Sequence, residues 1–137
     1  MGLYLCIFDG DEEIEGVEVG PYADFDNLRQ YIVRELEGGT PGSRFPVFIL
    51  HSDCDGEWTA KECTTLGREL EEIIEAMRQQ GPVPYSSDWQ GDVAKRLGIV
   101  PANAFESFVD VDGEFVLGRI RDLASIASQR DRAIIFQ

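Results

Sequence analysis

The sequence predicts an α+β fold of α/β-like character: a single-layer mixed sheet of about four strands, covered by helices. Three stretches carry that expectation. The chain begins with an apolar run, a turn and an alternating run, the pattern of a β-hairpin. Residues Val47 to Leu50 form an unbroken apolar run behind Pro46, and a short run without alternation suits a strand buried on both faces. After Thr59 the apolar residues recur at helical spacing as far as Gly81-Pro82.

In chain order, Leu3 to Phe8 (L-Y-L-C-I-F) reads as the first strand, with Cys6 a small buried hydrophobe inside it. Asp9-Gly10-Asp11 signals a turn, and Ile14 to Val19 (I-E-G-V-E-V) reads as a half-exposed second strand that Pro21 ends. Asp24 caps a helix whose Phe25, Leu28, Ile32 and Leu36 share one face, and Gly38-Gly39 stops it. A loop through Pro41, Gly42 and Arg44 leads to Val47–Leu50, read as the central strand. Ser52 to Trp58 then sets Asp53, Asp55, Glu57 and an aromatic around Gly56.

Thr59 and Glu62 have the spacing of a capping box. The helix they open buries Cys63, Leu66, Leu70, Ile73, Ile74 and Met77, and turns Arg68, Glu69, Glu71, Glu72, Glu75 and Arg78 the other way. Pro82 to Ser87 is a loop. Ser87 and Gln90 repeat the capping spacing before Trp89, Val93 and Leu97, on a short helix closed by Gly98. Asn103 and Glu106 repeat it again before Phe105, Phe108 and Val109. Asp110-Val111-Asp112-Gly113 turns the chain into a last helix marked by Val116, Ile120, Leu123 and Ala127, and Ala133 to Phe136 is a final strand. No repeat or linker interrupts 1–137, which reads as one domain.

Charge narrows the function classes. The 137 residues include 26 acidic and 12 basic ones, for a formal net charge of −14. Such a surface repels nucleic acid and anionic membrane and suits a basic partner. No apolar run approaches the roughly 20 residues of a membrane span. The start lacks the basic segment of a signal peptide, so a cytosolic location is expected. Three cysteines, Cys6, Cys54 and Cys63, are an odd number that a reducing compartment keeps as thiols. Cys6 and Cys63 are expected in the core, without a disulfide.

Signatures of chemistry are weak. Asp53-Cys54-Asp55-Gly56 and Asp110-Val111-Asp112-Gly113 resemble parts of calcium loops. Counting back from each glycine puts His51 and Phe108 where the first carboxylate belongs, so neither fits. His51 and Cys54 are three apart, but zinc needs a second ligand pair and a Cys-His catalyst needs an orienting group. G-G-T-P-G at Gly38 lacks the lysine of a phosphate loop. No cofactor or metal is expected.

The segments M-G-L-Y-L-C-I-F, E-G-V-E-V-G, H-S-D-C-D-G-E-W, F-V-D-V-D-G-E and A-I-I-F-Q occur in this order across nearly the whole chain. Together they resemble an immunity-protein family of bacterial polymorphic toxin systems. The resemblance implies an α+β protein that neutralises a cognate toxin by direct binding, with no catalytic or cofactor residues. Chemistry, not the resemblance, selects the candidate partner-binding residues Asp9, Asp11, Glu12 and Glu13 on the hairpin and Asp53, Asp55, Glu57 and Trp58 on the later loop. If the first strand runs parallel beside the central one, both clusters converge at one end of the sheet. Trp58 then reads either as a binding anchor or as packing against its own helix. Two other readings stand beside this one: a small hydrolase using His51 and Cys54, and an acidic interaction module unrelated to toxins.

Overall fold

The chain enters as β1 (Gly2–Asp9), turns through Gly10 and Asp11, and returns as β2 (Glu12–Pro21). Gly10 sits at positive φ, the conformation that a two-residue hairpin turn assigns to glycine. α1 (Tyr22–Leu36) follows directly, then the one-turn α2 (Pro46–Ile49), the two-residue β3 (Glu57–Trp58) and the long α3 (Ala60–Arg78). After α4 (Asp88–Leu97) and a 3₁₀ turn at Phe105–Ser107 come α5 (Val116–Arg130) and β4 (Ile134–Phe136). This computed structural model describes residues 2–85 and 87–137. Met1, and Ser86 within the expected Pro82–Ser87 loop, lie outside the described residues.

The α+β class is as the sequence predicts, but the sheet is antiparallel rather than mixed. Its order is β2-β1-β4-β3, so the first and last strands pair at its centre, with Leu5 opposite Phe136 and Cys6 opposite Ile135. One hydrophobic cluster takes Leu3, Leu5, Ile7, Val17, Trp58, Ile134 and Phe136 from the sheet and packs them against α1, α2, α3 and α5. The apolar stripe read from α3 is buried as expected, Cys63 included.

Val47–Leu50 is not a strand. Pro46 opens a single helical turn there, a position where its missing N–H is no loss. Two charged side chains satisfy the turn's backbone. Glu69 of α3 accepts the N–H groups of Val47 (3.2 Å) and Phe48 (3.0 Å). Arg29 of α1 donates to the carbonyls of Phe48 (3.3 Å), Ile49 (3.2 Å) and His51 (2.6 Å). With both ends capped from outside, the run needs no strand neighbours, and Phe48 and Ile49 remain buried. Glu69, placed by the sequence on the exposed side of α3, is thereby drawn inward. Burial pushes its carboxyl up, against the two N–H donors. The central strands are instead β1 and β4, and the sheet's fourth strand lies in the stretch read as acidic loop.

Caps follow the same logic. At Thr59 the capping box forms: Glu62 N–H donates to Thr59 Oγ1 (3.1 Å) and Thr59 N–H to Glu62 Oε1 (3.0 Å). Asp24 does not cap α1, which starts two residues earlier. It lies in the first turn and accepts from Trp89 Nε1 (2.7 Å) and Ser87 Oγ (3.2 Å). Ser87 is thus committed to Asp24, and Gln90 Nε2 points to Val109 O (3.5 Å), so that capping box does not close. Leu97, grouped with Trp89 and Val93 on the short helix, is 58% exposed. Asn103 Oδ1 does accept Glu106 N–H (3.0 Å) ahead of the 3₁₀ turn.

Removing the cap on α2 isolates its effect. Glu69→Ala leaves two N–H groups of a packed segment without partners and should lower the unfolding free energy by about 2 kcal/mol or more in urea titrations. A loss below about 0.5 kcal/mol, the size of an ordinary surface substitution, would show that the carboxylate does not hold the turn. The thiols give a second check. Burial pushes Cys63 up to about 12 and Cys6 upward, whereas Cys54 is exposed. A thiol reagent at pH 8 should label Cys54 quickly and the other two only on unfolding. Fast labelling of all three would contradict this core.

Candidate partner-binding surface

Both acidic stretches are built by tight backbone turns. In the first, Asp9 pairs with Glu12 across the turn and also holds Arg132 at 2.6 Å. Asp11, Glu12 and Glu13 are exposed around it. In the second, Gly56 takes a positive φ, and its carbonyl accepts Phe136 N–H at 3.0 Å, tying the loop to the end of β4. Asp55 and Glu57 are exposed and Asp53 is half-buried.

The two clusters do not converge. Ile135 faces Cys6 on one side and Glu57 on the other, which fixes the relative height of β1, β4 and β3. Asp9 lies beyond Cys6 at the start of β4, where Arg132 meets it, while Asp53 and Asp55 precede Glu57 at the end of β4. The hairpin tip and the loop therefore occupy opposite ends of the sheet. β3 does run in the direction of β1, but its acidic loop comes before the strand instead of after it.

Trp58 offers no surface to a partner. It is 0% exposed, donates its indole N–H to Val47 O (3.0 Å), and packs edge-on to Phe136 with ring centroids 4.7 Å apart. It is buried, but its ring partners are Phe48, His51 and Phe136 and not its own helix as the sequence suggested. Its neighbour His51 stacks on Phe136 at 4.2 Å, with Nδ1 2.8 Å from Ser52 O and Nε2 2.9 Å from Glu57 O. Both ring nitrogens thus face backbone carbonyls, and a neutral ring, with one N–H, donates to one of the two. Cys54 Sγ instead neighbours Ser52 Oγ at 3.6 Å, so the pair is not arranged as base and nucleophile.

The second Asp-x-Asp-Gly stretch is a turn clamp. Asp110 is 0% exposed; its Oδ1 accepts Asp112 and Glu114 N–H, both at 2.9 Å, and its Oδ2 faces Arg119 at 3.4 Å. Among the described residues no group of three or more His, Cys, Asp or Glu side chains could hold a metal ion. No helix among them is long and apolar enough to cross a membrane.

One surface escaped the sequence reading: the side of the sheet away from the helices. Directly opposed residues share a face, so Glu18–Tyr4, Gly16–Cys6–Ile135–Glu57 and Glu13–Phe8 form three rows there. None of Tyr4, Cys6, Phe8 and Ile135 joins the main hydrophobic cluster. The Tyr4 ring lies across Gly16, where a Cβ would fall 2.0 Å from the phenol oxygen, so a larger residue there would displace the ring. Burial, and then the Glu13 carboxylate it bonds, push the Tyr4 phenol up to about 12. The available signal was L-Y-L-C-I-F itself, which is apolar at both sets of alternating positions.

If His51 is a structural wedge, His51→Ala should lower the unfolding free energy by about 1–3 kcal/mol through the lost stacking and hydrogen bonding. Unchanged stability in a denaturant titration would remove that role.

No curated protein and no solved structure matches the chain significantly. The family model described as Immunity protein 70 matches residues 3–136. That span runs from within β1 to the end of β4, and the chain belongs to the Immunity protein 70 family.

Proposed function

We propose that this chain is the inhibitor of a cognate toxin of a bacterial polymorphic toxin system, neutralising it in the cytosol by direct contact without a catalytic step. The family match over residues 3–136 carries this reading. The charge supports it: at −14, the chain suits a toxin with a basic surface, such as the substrate channel of a nuclease. The candidate contacts are the carboxylates at the two ends of the sheet: exposed Asp11, Glu12 and Glu13 at one, and exposed Asp55 and Glu57 with half-buried Asp53 at the other. Asp9 is already paired with Arg132, and Trp58 supports the loop from beneath. Both His51 nitrogens face backbone carbonyls and Cys54 Sγ neighbours Ser52 Oγ, which speaks against the hydrolase alternative.

The test is coexpression with the toxin domain encoded beside the gene, in cells that this domain kills. Protection should be complete and should survive His51→Ala at low temperature, where the variant still folds. Association of the purified proteins should slow by about tenfold or more as salt rises from about 50 to 500 mM, since steering by charge is screened. Absence of both protection and complex would refute the reading, and loss of protection in a His51→Ala variant that folds and binds would restore the enzyme alternative.

A further inference from the structure

β1 is apolar on both faces, with Leu3, Leu5 and Ile7 on one and Tyr4, Cys6 and Phe8 on the other. Strands of that composition belong in sheets covered on both sides. Here the helices bury only the first set, while Tyr4, Phe8 and Ile135 remain half-exposed. Along the edge of β2, two carbonyls are already engaged. Glu18 O accepts Val111 N–H (3.1 Å), and Gly16 O accepts from Arg119 (3.4 Å). The face itself lies open to a partner.

We infer that this helix-free face, with Tyr4, Phe8 and Ile135 at its centre and Glu13, Glu18 and Glu57 around them, docks the basic surface of a protein partner. The inference rests on the function proposed above, which makes that partner the toxin. Charge complementarity selects the occupant. The four strands carry Asp9, Glu12, Glu13, Glu15, Glu18 and Glu57, and not one lysine or arginine. A second copy of the chain would set these carboxylates against themselves, whereas a basic surface would pair with them while covering the aromatic centre. Aromatic residues ringed by polar ones are also the composition of binding hot spots. Beside Tyr4 a hollow of about 310 Å³, bounded by Gly2, Glu18, Pro21 and Val111, has room for a side chain, with Glu18 in its wall to meet a lysine or arginine. The face also spans the distance between the two acidic ends of the sheet, so one partner can engage both.

The experiment measures binding of the catalytically inactivated toxin domain encoded beside the gene. Three variants are compared with wild type, each checked for its fold by circular dichroism. Glu18→Lys with Glu57→Lys changes only exposed side chains of the face, and Phe8→Ser removes its apolar centre. Glu71→Lys with Glu75→Lys makes the same charge change on exposed α3. Both face variants should weaken binding about tenfold or more, and the α3 variant by less than about threefold. If Phe8→Ser does not fold, the charge pair decides alone. Wild-type binding that the face variants leave intact overturns this inference but not the toxin-inhibitor reading. No wild-type binding overturns both. A wild-type dimer that Glu18→Lys with Glu57→Lys splits into monomers would place a second copy on the face, again against the inference.

Discussion

Two side chains from different helices meet the two ends of a single helical turn, and much of the molecule is arranged by that meeting. Glu69 holds the N–H groups at one end of α2 and Arg29 the carbonyls at the other. Burying either charge alone would be unfavourable; each is instead supplied with backbone partners of the opposite polarity. The turn then seats Phe48 between Phe25 and Trp58, with ring centroids 5.8 and 6.2 Å away. It also sends the chain through His51 into the tight loop that hands β3 to β4. α1, α3 and the sheet are thus fastened to one another through four residues.

Single-sided coverage is the second organising fact. Helices fill one side of the sheet with a large apolar cluster, and the other side keeps a thin apolar layer of its own, in which Cys6 is fully buried. A protein that acts by binding has reason to retain such a layer, because an apolar centre gives affinity while the surrounding carboxylates select the partner and speed its approach.

What could be read from the sequence divides by range. The hairpin, α1, α3, α5 and β4 follow from local periodicity and turn residues, and each lies close to where that pattern sets it. The capping box at Thr59 also needs only neighbours, and it forms. The failures all involve a distant partner. V-F-I-L looks like a strand until Glu69 and Arg29 arrive; Ser87 looks like a cap until Asp24 takes its hydroxyl. β3 has two residues and exists only because β4, far along the chain, pairs with it. The acidic residues of the candidate surface were legible as a composition. Their separation to opposite ends of the sheet was not, since it depends on the register at Ile135.

The pairing of the first strand with the last has a kinetic meaning. Cys6 and Ile135 lie 129 positions apart along the chain, and the contact between them closes the middle of the sheet. Closure over so long a span slows folding, because chain entropy is lost before the contact repays it. During synthesis from the N-terminus, the hairpin can form early, but β3 has no neighbour until β4 emerges. The loop with its carboxylates therefore cannot join the sheet before β4 is present, and the surface that spans the sheet needs both ends of the chain.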